Sequence, residues 1–272
     1  MCIRDRVKSP SKLNLHLEIL KKRKDGFHEL RTVFQLIDLQ DEIEFEITGS
    51  KINLIENPLP IEDNLILKAA HLLKERTKAP QGVKMLLNKK IPMEKGLGGG
   101  SSNAATALVV LNRLWETNLT KDQLIKIGLE LGSDIPFFIH GINSWAEGRG
   151  EIFKPLKLPN QWFLLALPKT NISTRMAFND IHVPKSSPIT KQEFLNGKSK
   201  NSFTKWAIEK FPEIKKIFDQ LKILGDPKLT GTGSTLFLSF KNEKEAQKGL
   251  EVFPQGILVR SLDHSPLTGL ME

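Results

Sequence analysis

The fold and chemistry of this chain are indicated most strongly by residues 92–105, PMEKGLGGGSSNAA, where four glycines and two serines precede a strongly helical sequence. Glycine has no Cβ, so backbone N–H groups can turn toward one point and an anion can approach them closely. A helix that begins at the serines adds unpaired N–H donors and the positive end of its dipole. The stretch therefore predicts a phosphate-binding loop, in which Gly99 is expected to need a positive φ.

Two common nucleotide-binding motifs do not match this loop. A Walker A loop would require Gly-Lys followed by Ser or Thr at a fixed spacing, and that sequence is absent. The dinucleotide pattern G-x-G-x-x-G fails because Ser101 stands at the last glycine position. On the loop alone, a glycine-rich turn before a helix remains an equally good explanation.

The composition is typical of a globular protein, with 39% hydrophobic and 26% charged residues in 272 positions. Cys2 is the single cysteine, which excludes a disulfide framework and a cysteine-based zinc site and suits a reducing compartment. No apolar run approaches the ~20 residues that span a bilayer, and residues 1–6 lack the apolar core of a signal peptide. We therefore expect a cytoplasmic protein.

The formal net charge of +9 is compatible with a nucleic acid, an anionic membrane surface or a phosphorylated small molecule as partner. The lysines between 185 and 222 are scattered, and tyrosine is absent, so no aromatic and basic platform for single strands is evident. Solvated surface charge is the default explanation. Charge alone does not decide between these partners.

Alternating residue types predict a half-buried strand at 12–20, with one face in the core and one in water. The apolar face would carry Leu13, Leu15, Leu17 and Ile19, and the polar face Lys12, Asn14, His16 and Glu18. Further strands are predicted at 43–47, 83–87, 162–167, 229–240 and 256–262.

Helices are predicted between these strands. Asp63 can cap a first helix, and Thr120 with Gln123 has the spacing of a capping box. Other helical stretches are 102–115, 203–224 and 243–253. Because strands and helices interleave without a regular βαβ repeat, the class is α+β, with a plausible domain boundary at 154–160.

Two charged residues are candidates for acid–base chemistry. Asp134, in GSDIPFF at 132–138, follows a helix and precedes an apolar segment, so its carboxylate could be partly desolvated. Lys12 precedes the alternating strand, and a lysine near an aspartate keeps it ionised and can polarise a hydroxyl. An ordinary turn aspartate and a solvated lysine are the simpler alternatives for each taken alone.

Other candidate features are weaker. GTGST at 231–235 is a second small-residue loop, for which a tight turn is at least as good an explanation as a phosphate contact. DGFH at 25–28 places an aromatic ring beside an imidazole, although such residues are more often core and surface residues. No H-E-x-x-H zinc spacing and no G-x-S-x-G hydrolase elbow occurs.

Taken together, SPSKLNL at 9–15, the loop at 92–105 and LTGTGS at 229–234 resemble the three motifs of the galactokinase, homoserine kinase, mevalonate kinase and phosphomevalonate kinase superfamily. Within it, DGFHEL at 25–30, EDNL at 62–65, LGSDIPFF at 131–138 and GRGE at 148–151 resemble the 4-diphosphocytidyl-2-C-methyl-D-erythritol kinase family. The match runs in order from about residue 9 to 267. Residues 1–6 have no counterpart, and we expect an extension or a misplaced start.

The resemblance implies an ATP-dependent kinase that phosphorylates the C2 hydroxyl of 4-diphosphocytidyl-2-C-methyl-D-erythritol, in non-mevalonate isoprenoid biosynthesis. Asp134 would be the catalytic base and Lys12 its partner. His28 would read the cytosine edge, while Phe27 and Phe178 would sandwich the ring. Phe27 departs from the family, in which tyrosine is frequent, so any phenolic hydrogen bond is lost.

The resemblance also implies the remaining ligand contacts. ATP would bind to Asn64, near the adenine, and to Pro92, Met93, Glu94, Lys95, Gly96, Leu97, Gly98, Gly99, Gly100, Ser101 and Ser102. Asn14 and Thr232 match further substrate positions. Mg²⁺ should accompany ATP. Because no carboxylate cluster for the metal is evident, the ion is expected on ATP, water and a hydroxyl such as Ser102.

The implied architecture has two domains, with the active site in the cleft between them. Residues 1–156 would form a ribosomal-protein-S5-like domain and residues 157–272 a ferredoxin-like domain. No nucleic-acid or membrane partner is expected, and the chain could be a monomer or a homodimer. Another kinase of the superfamily is the nearest rival, and a basic RNA-binding module is a rival from a different class.

Overall fold

The computed structural model describes residues 5–55, 64–183 and 187–271 as a mixed α/β protein. The strands in these ranges are β1 (Asp5–Lys22), β2 (His28–Thr48), β3 (Ile52–Ile55), β4 (Gly82–Asn88), β5 (Ser144–Glu147), β6 (Ile152–Pro155), β7 (Trp162–Ala166), β8 (Lys228–Leu229), β9 (Leu236–Phe240) and β10 (Ile257–Leu262). The α-helices are α1 (Leu65–Thr77), α2 (Gly99–Leu114), α3 (Lys121–Leu131), α4 (Ile135–His140), α5 (Thr174–Asp180), α6 (Lys191–Leu195), α7 (Thr204–Lys210), α8 (Pro212–Leu221) and α9 (Glu243–Val252).

Most predicted elements are confirmed, including the capping box in which Thr120 and Gln123 bond each other's backbone at the start of α3. The helix predicted at 203–224 was wrong in one respect, because it divides into α7 and α8. Phe211 is extended (φ −123°, ψ 101°) between them, which the following proline favours. The strand predicted at 229–240 likewise divides, since 230–235 form a loop between β8 and β9.

The first helix is capped by Asn64, whose Oδ1 accepts hydrogen bonds from the N–H groups of Ile66 and Leu67. A helix start capped by Asp63 was predicted, but that residue lies outside the described ranges. Asparagine is an equally good cap, because its side-chain oxygen satisfies the free donors of the first turn.

The long strand β2 organises the sheet, because it pairs with β1, β4, β5 and β10 along its 21 residues. The main path through the sheet runs β3-β4-β2-β10-β7-β9-β8. All of these pairings are antiparallel except the parallel pair β3 and β4. Through β10, whose Ser261 and Leu262 pair with Ile37 and Leu36, the first and last thirds of the chain share one sheet.

The prediction that β1 is half-buried was wrong, since its polar face lies inside the protein. Lys12, Asn14, His16 and Glu18 are between 0 and 4% exposed. Buried polar groups need partners, and these come from remote parts of the chain. For example, the Lys200 N–H donates to His16 Nδ1 (3.2 Å), and the Lys200 ammonium pairs with Glu18 Oε1 (2.5 Å).

One small apolar cluster joins the two ends of the chain. Its buried members are Leu13, Ile37, Ile91, Leu97, Phe163, Leu165, Phe237 and Val259. Leu97 belongs to the glycine-rich loop, so this loop has its apolar side chain fixed in the core. The division into domains at 156 and 157 remains a prediction.

Lowering the pH from 7 to 5 should reduce the free energy of unfolding. Burial lowers the pKa of His16 to about 4, from 6.5, and nearby Lys200 and Arg31 act in the same direction. The unfolded chain therefore takes up a proton more readily below pH 6.5, and stability is lost as the pH falls from there toward 4. Urea unfolding at both pH values measures this loss.

His16→Gln should remove about 2 kcal/mol of that pH-dependent loss, because it deletes one titrating group. His140, whose pKa burial also lowers to about 4, provides a comparison in which His140→Gln should act in the same direction. An unchanged pH dependence in His16→Gln would contradict the interpretation.

Candidate active site

A single large cavity of about 980 Å³ is lined by elements from both halves of the chain. Its walls come from β1, the turn before β2, the start of α1, the glycine-rich loop, α5 and the loop between β8 and β9. The predicted site residues that line it are Lys12, Asn14, Phe27, His28, Asn64, Pro92, Met93, Glu94, Lys95, Gly96, Leu97, Gly98, Gly99, Gly100, Ser101, Asp134, Phe178 and Thr232. Ser102 is fully buried directly behind this loop.

The glycine-rich loop ends in the first turn of α2, a helix of 16 residues. Because Ser102 N–H donates to Gly98 O, the preceding N–H groups of Gly99, Gly100 and Ser101 have no intrahelical acceptor. They lie at the positive end of the helix dipole and line the cavity. This is the geometry of an anion site.

The left-handed positions of this loop are Glu94, with φ of +55°, and Gly96 and Gly98, both with φ of +72°. The expectation of a positive φ at Gly99 was wrong, since Gly99 is the first helical residue. Gly99 is instead constrained by space, because a Cβ there would lie 2.9 Å from the side chain of Ile91. A Cβ on Gly98 would lie 2.9 Å from the Phe138 ring and 3.1 Å from Lys12 Cε.

The second small-residue loop packs directly against the first. A Cβ on Gly96 would lie only 2.4 Å from the carbonyl oxygen of Thr230, so the two backbones touch. Thr230 Oγ1 donates to Gly96 O (3.3 Å), and the Asn14 N–H donates to the same hydroxyl (3.0 Å). The loop at 230–235 therefore positions the glycine-rich loop.

Lys12 and Asp134 meet in the cavity as an asymmetric ion pair. Lys12 Nζ lies 3.4 Å from Asp134 Oδ2, and the side chains are 4% and 34% exposed. The ammonium also donates to Asn14 Oδ1 (2.5 Å), whose Nδ2 in turn donates to Thr32 Oγ1 (2.7 Å). These interior hydrogen bonds fix the Lys12 side chain, whereas the Asp134 carboxylate is partly exposed in the cavity.

Asp134 occupies the N-cap position of α4, yet its side chain makes no capping hydrogen bond. The turn is closed by the backbone, where the Ile135 N–H donates to Gly132 O (3.3 Å). A turn aspartate with a purely local role would use its oxygens on that backbone. The carboxylate is instead turned toward Lys12 and the cavity.

Aromatic and imidazole rings gather at the other end of the cavity. The His28 and Phe178 rings lie with centroids 5.2 Å apart, and Phe178 packs edge-on against the buried Phe203 at 5.0 Å. Phe27 is 47% exposed on the turn before β2. Partial burial and Lys22 lower the pKa of His28, which favours the neutral form of its ring, with one donor and one acceptor nitrogen.

The comparisons with known proteins agree with this geometry. Residues 64–142 match the GHMP kinases N terminal domain. A 4-diphosphocytidyl-2-C-methyl-D-erythritol kinase from Pasteurella multocida is 39% identical over 98% of this chain and 92% of that protein. One from Nitrosococcus oceani is 40% identical over 97% of both chains.

This chain belongs to the 4-diphosphocytidyl-2-C-methyl-D-erythritol kinase family. A crystal structure of 4-(cytidine 5'-diphospho)-2C-methyl-D-erythritol kinase is similar with a TM-score of 0.82 and 30% identity, over 94% of this chain and 98% of that one. A mevalonate kinase structure shares the fold alone, with a TM-score of 0.67 at 18% identity over 96% of this chain and 99% of that one.

Two cavity residues of this family member were not singled out from the sequence. The Arg149 guanidinium lies over the Phe27 ring, 4.4 Å from its centroid, and so covers one face of that exposed aromatic side chain. Lys89 lies beside Gly99 and donates to the buried Asp41 (2.8 Å). The GRGE motif contained a signal for Arg149, but the contact with Phe27 joins positions 122 residues apart.

Within residues 5–55, 64–183 and 187–271, none of the helices has the length and apolar character of a membrane span. The same residues contain no group of three or more His, Cys, Asp or Glu side chains suited to a metal ion.

Proposed function

We propose that this protein transfers the γ-phosphoryl group of ATP to the C2 hydroxyl of 4-diphosphocytidyl-2-C-methyl-D-erythritol. The observation that carries the proposal is that three parts line one cavity. They are the Lys12–Asp134 pair, the N–H groups at the start of α2 and a cluster of aromatic and imidazole rings. This combination suits a phosphate donor and a nucleotide-linked alcohol bound side by side.

The proposed chemical step needs a base and a stabilised charge. The C2 oxygen attacks the γ-phosphorus, the bond from that phosphorus to the β,γ-bridging oxygen breaks, and ADP leaves with the bond's electron pair. Asp134 accepts the hydroxyl proton. The Lys12 ammonium lies beside that carboxylate and offsets negative charge at the reacting oxygens.

Asp134→Asn should abolish most turnover while leaving ATP binding nearly intact, because the amide keeps the shape but cannot accept the proton. Loss of a positioned base costs roughly 10²–10⁴-fold in turnover. Steady-state kinetics together with calorimetric ATP titration separates the two effects. Normal turnover in this variant would exclude Asp134 as the base.

Lys12→Ala is the second variant, measured alone and in combination with Asp134→Asn. Because Lys12 and Asp134 would act on one proton transfer, the double variant should lose far less activity than the product of the two single losses. Fully multiplicative losses would mean that the two side chains act in separate steps.

For ATP, we propose that the phosphates bind to the N–H groups at the start of α2 and that the adenine lies near Asn64. Residues that fit Mg²⁺ are few, but Ser102 Oγ is buried without a hydrogen-bond partner in the described part of the chain. That hydroxyl, with ATP oxygens and water, would hold the ion. When bound, Mg²⁺ would neutralise charge on the phosphates.

Gly98→Ala should raise the KM for ATP and lower turnover, roughly tenfold or more in kcat/KM. Alanine at φ +72° is strained, and its Cβ would press on Lys12 and Phe138. Gly197→Ala is the matched control, since Gly197 also has a positive φ (+91°), but it does not line the cavity and its Cβ would meet nothing within 4 Å. Circular dichroism checks folding, and equal kinetics for both variants would locate the phosphate site elsewhere.

For the second substrate, we propose that Phe27 and Phe178 hold the cytosine ring by stacking and that His28 reads its edge. Stacking tolerates any base and contributes about 1–3 kcal/mol. Discrimination must therefore come from polar groups. Uracil presents a carbonyl and an N–H where cytosine presents an amino group and a ring-nitrogen acceptor, so the hydrogen-bond polarity is inverted.

The cytidylyl substrate should exceed its uridylyl analogue by at least about 100-fold in kcat/KM. Each mispaired buried group costs about 1–3 kcal/mol, and two such groups are expected. His28→Ala should shrink this ratio, whereas Phe178→Leu should weaken both substrates about equally. Similar kcat/KM values for both bases in the unmodified protein would contradict the cytosine-reading role.

The overall proposal is tested by one coupled assay that compares the cytidylyl alcohol with homoserine and mevalonate. Turnover of only the first compound supports it, and turnover of another points to a different kinase of the superfamily. Salt-sensitive RNA retention without ATP turnover would favour an RNA-binding module. The proposal retains an S5-like domain at 1–156, a ferredoxin-like domain at 157–272 and a cleft between them, which the lining of the cavity supports.

A further inference from the structure

Lys95 is the one cation within the glycine-rich loop at 92–100, and its side chain turns away from the α2 N-terminus. Its ammonium donates to Lys169 O (3.1 Å), Thr170 O (2.8 Å) and Asn171 Oδ1 (2.6 Å). An ammonium group has three N–H donors. All three are used on one short segment that follows β7, 74 to 76 residues along the chain.

The segment that Lys95 reaches is itself held from a third place. Glu213, in the first turn of α8, accepts from the N–H groups of Lys169 and Thr170 (both 2.9 Å) and from Thr170 Oγ1 (2.6 Å). Ser234 Oγ donates to Thr170 O (2.5 Å). The Lys95 ammonium is therefore part of a hydrogen-bond network and does not project into solvent.

This segment leads directly into the base end of the cavity. Asn171, Thr174 and Arg175 line the cavity, and α5 carries Phe178. Residues 169–178 thus join the acceptors of the Lys95 ammonium to the aromatic ring against which His28 lies. Movement of residues 169–178 would therefore move both the acceptors of Lys95 and the Phe178 ring.

We propose that Lys95 is a positioning residue that holds the phosphate loop and the base pocket in one fixed arrangement. The inference rests on the proposed function, and it assigns the Lys95 side chain to the 169–171 segment rather than to ATP phosphate. Three converging hydrogen bonds from a largely buried ammonium define its position closely. Loss of these bonds frees the loop backbone at 94–96 on one side and the α5 approach on the other.

A direct phosphate contact is the competing role for this lysine. To reach a phosphate at the α2 N-terminus, the Lys95 ammonium would have to break all three of these hydrogen bonds. The carbonyl oxygens of Lys169 and Thr170 would then lose this donor. The two roles differ in their consequences. A phosphate ligand affects ATP alone, whereas a link between two sites affects both substrates.

The experiment compares Lys95→Met and Glu213→Gln with Lys90→Met as a matched control. Lys90 is an exposed lysine that pairs with Glu42 (2.9 Å) and does not line the cavity. Lys95→Met should raise the KM for ATP and for the cytidylyl substrate about tenfold each, with a smaller change in kcat. Glu213→Gln should move both KM values in the same direction, and Lys90→Met should move neither.

Amide hydrogen exchange in the ligand-free protein provides a readout that does not depend on activity. Amide exchange at 169–171 should be faster in Lys95→Met, since the oxygens of Lys169, Thr170 and Asn171 lose their ammonium donor and the segment is held less firmly. If the unmodified protein lacks kinase activity but this exchange increases, the proposed function fails while the positional link stands. A rise in the ATP KM alone, with Glu213→Gln silent, would overturn the proposal in favour of a phosphate ligand. Unchanged KM values, with or without a lower melting temperature, would overturn it too.

Discussion

The buried ammonium of Lys12 is the constraint on which the rest of this active site depends. A charge removed from water must be compensated, and incomplete compensation costs several kcal/mol. Here the compensation comes from the amide of Asn14 two residues along and from Asp134 on the connection between α3 and α4. The Lys12 N–H donates to Leu97 O (3.0 Å), which fixes the phosphate loop against the same residue. Lys12 thus positions the Asp134 carboxylate through its ammonium and the glycine-rich loop through its backbone N–H.

Strand β1 also explains how the C-terminal half of the chain is positioned. His16 and Glu18 continue the buried polar row beyond Lys12, and both bind Lys200 in the segment before α7. Glu18 also accepts a hydrogen bond from the Ile189 N–H, before α6. The Leu17 backbone adds two hydrogen bonds to that segment, to Lys200 O and from Ser202 N–H (2.9 Å each). Polar atoms in the interior must be paired. The buried polar side chains of β1 therefore restrict how the segments packed against them can be arranged. Lys12, for which we propose a catalytic role, and the side chains that position the rest of the chain therefore share one face of β1.

Close backbone contact between the two small-residue loops is the second structural requirement. Gly96 and Thr230 touch where no Cβ could be accommodated, and Gly231 has φ of +56°. The glycine-rich loop therefore has no side chain at this junction, and hydrogen bonds hold the two loops together. The Thr230 hydroxyl donates to Gly96 O (3.3 Å), and the Thr235 N–H donates to Lys95 O (3.4 Å) one residue away. Rigidity at a phosphate site favours catalysis, since N–H donors that are already aligned need no rearrangement during transfer.

The sequence by itself determined the local structure and the identity of the chemistry. Period-two alternation located the strands, the Thr120 and Gln123 spacing located a capped helix, and the ordered motifs indicated the kinase family. Those signals are local, because backbone preferences and turn residues act over a few positions. The tertiary structure decided the burial of the polar face of β1 and the contact of Arg149 with Phe27. It also decided that Lys95 reaches the 169–171 segment. Each of the contacts joins residues far apart in the chain, and their energies depend on which groups lose water together, a property that no short stretch of sequence carries.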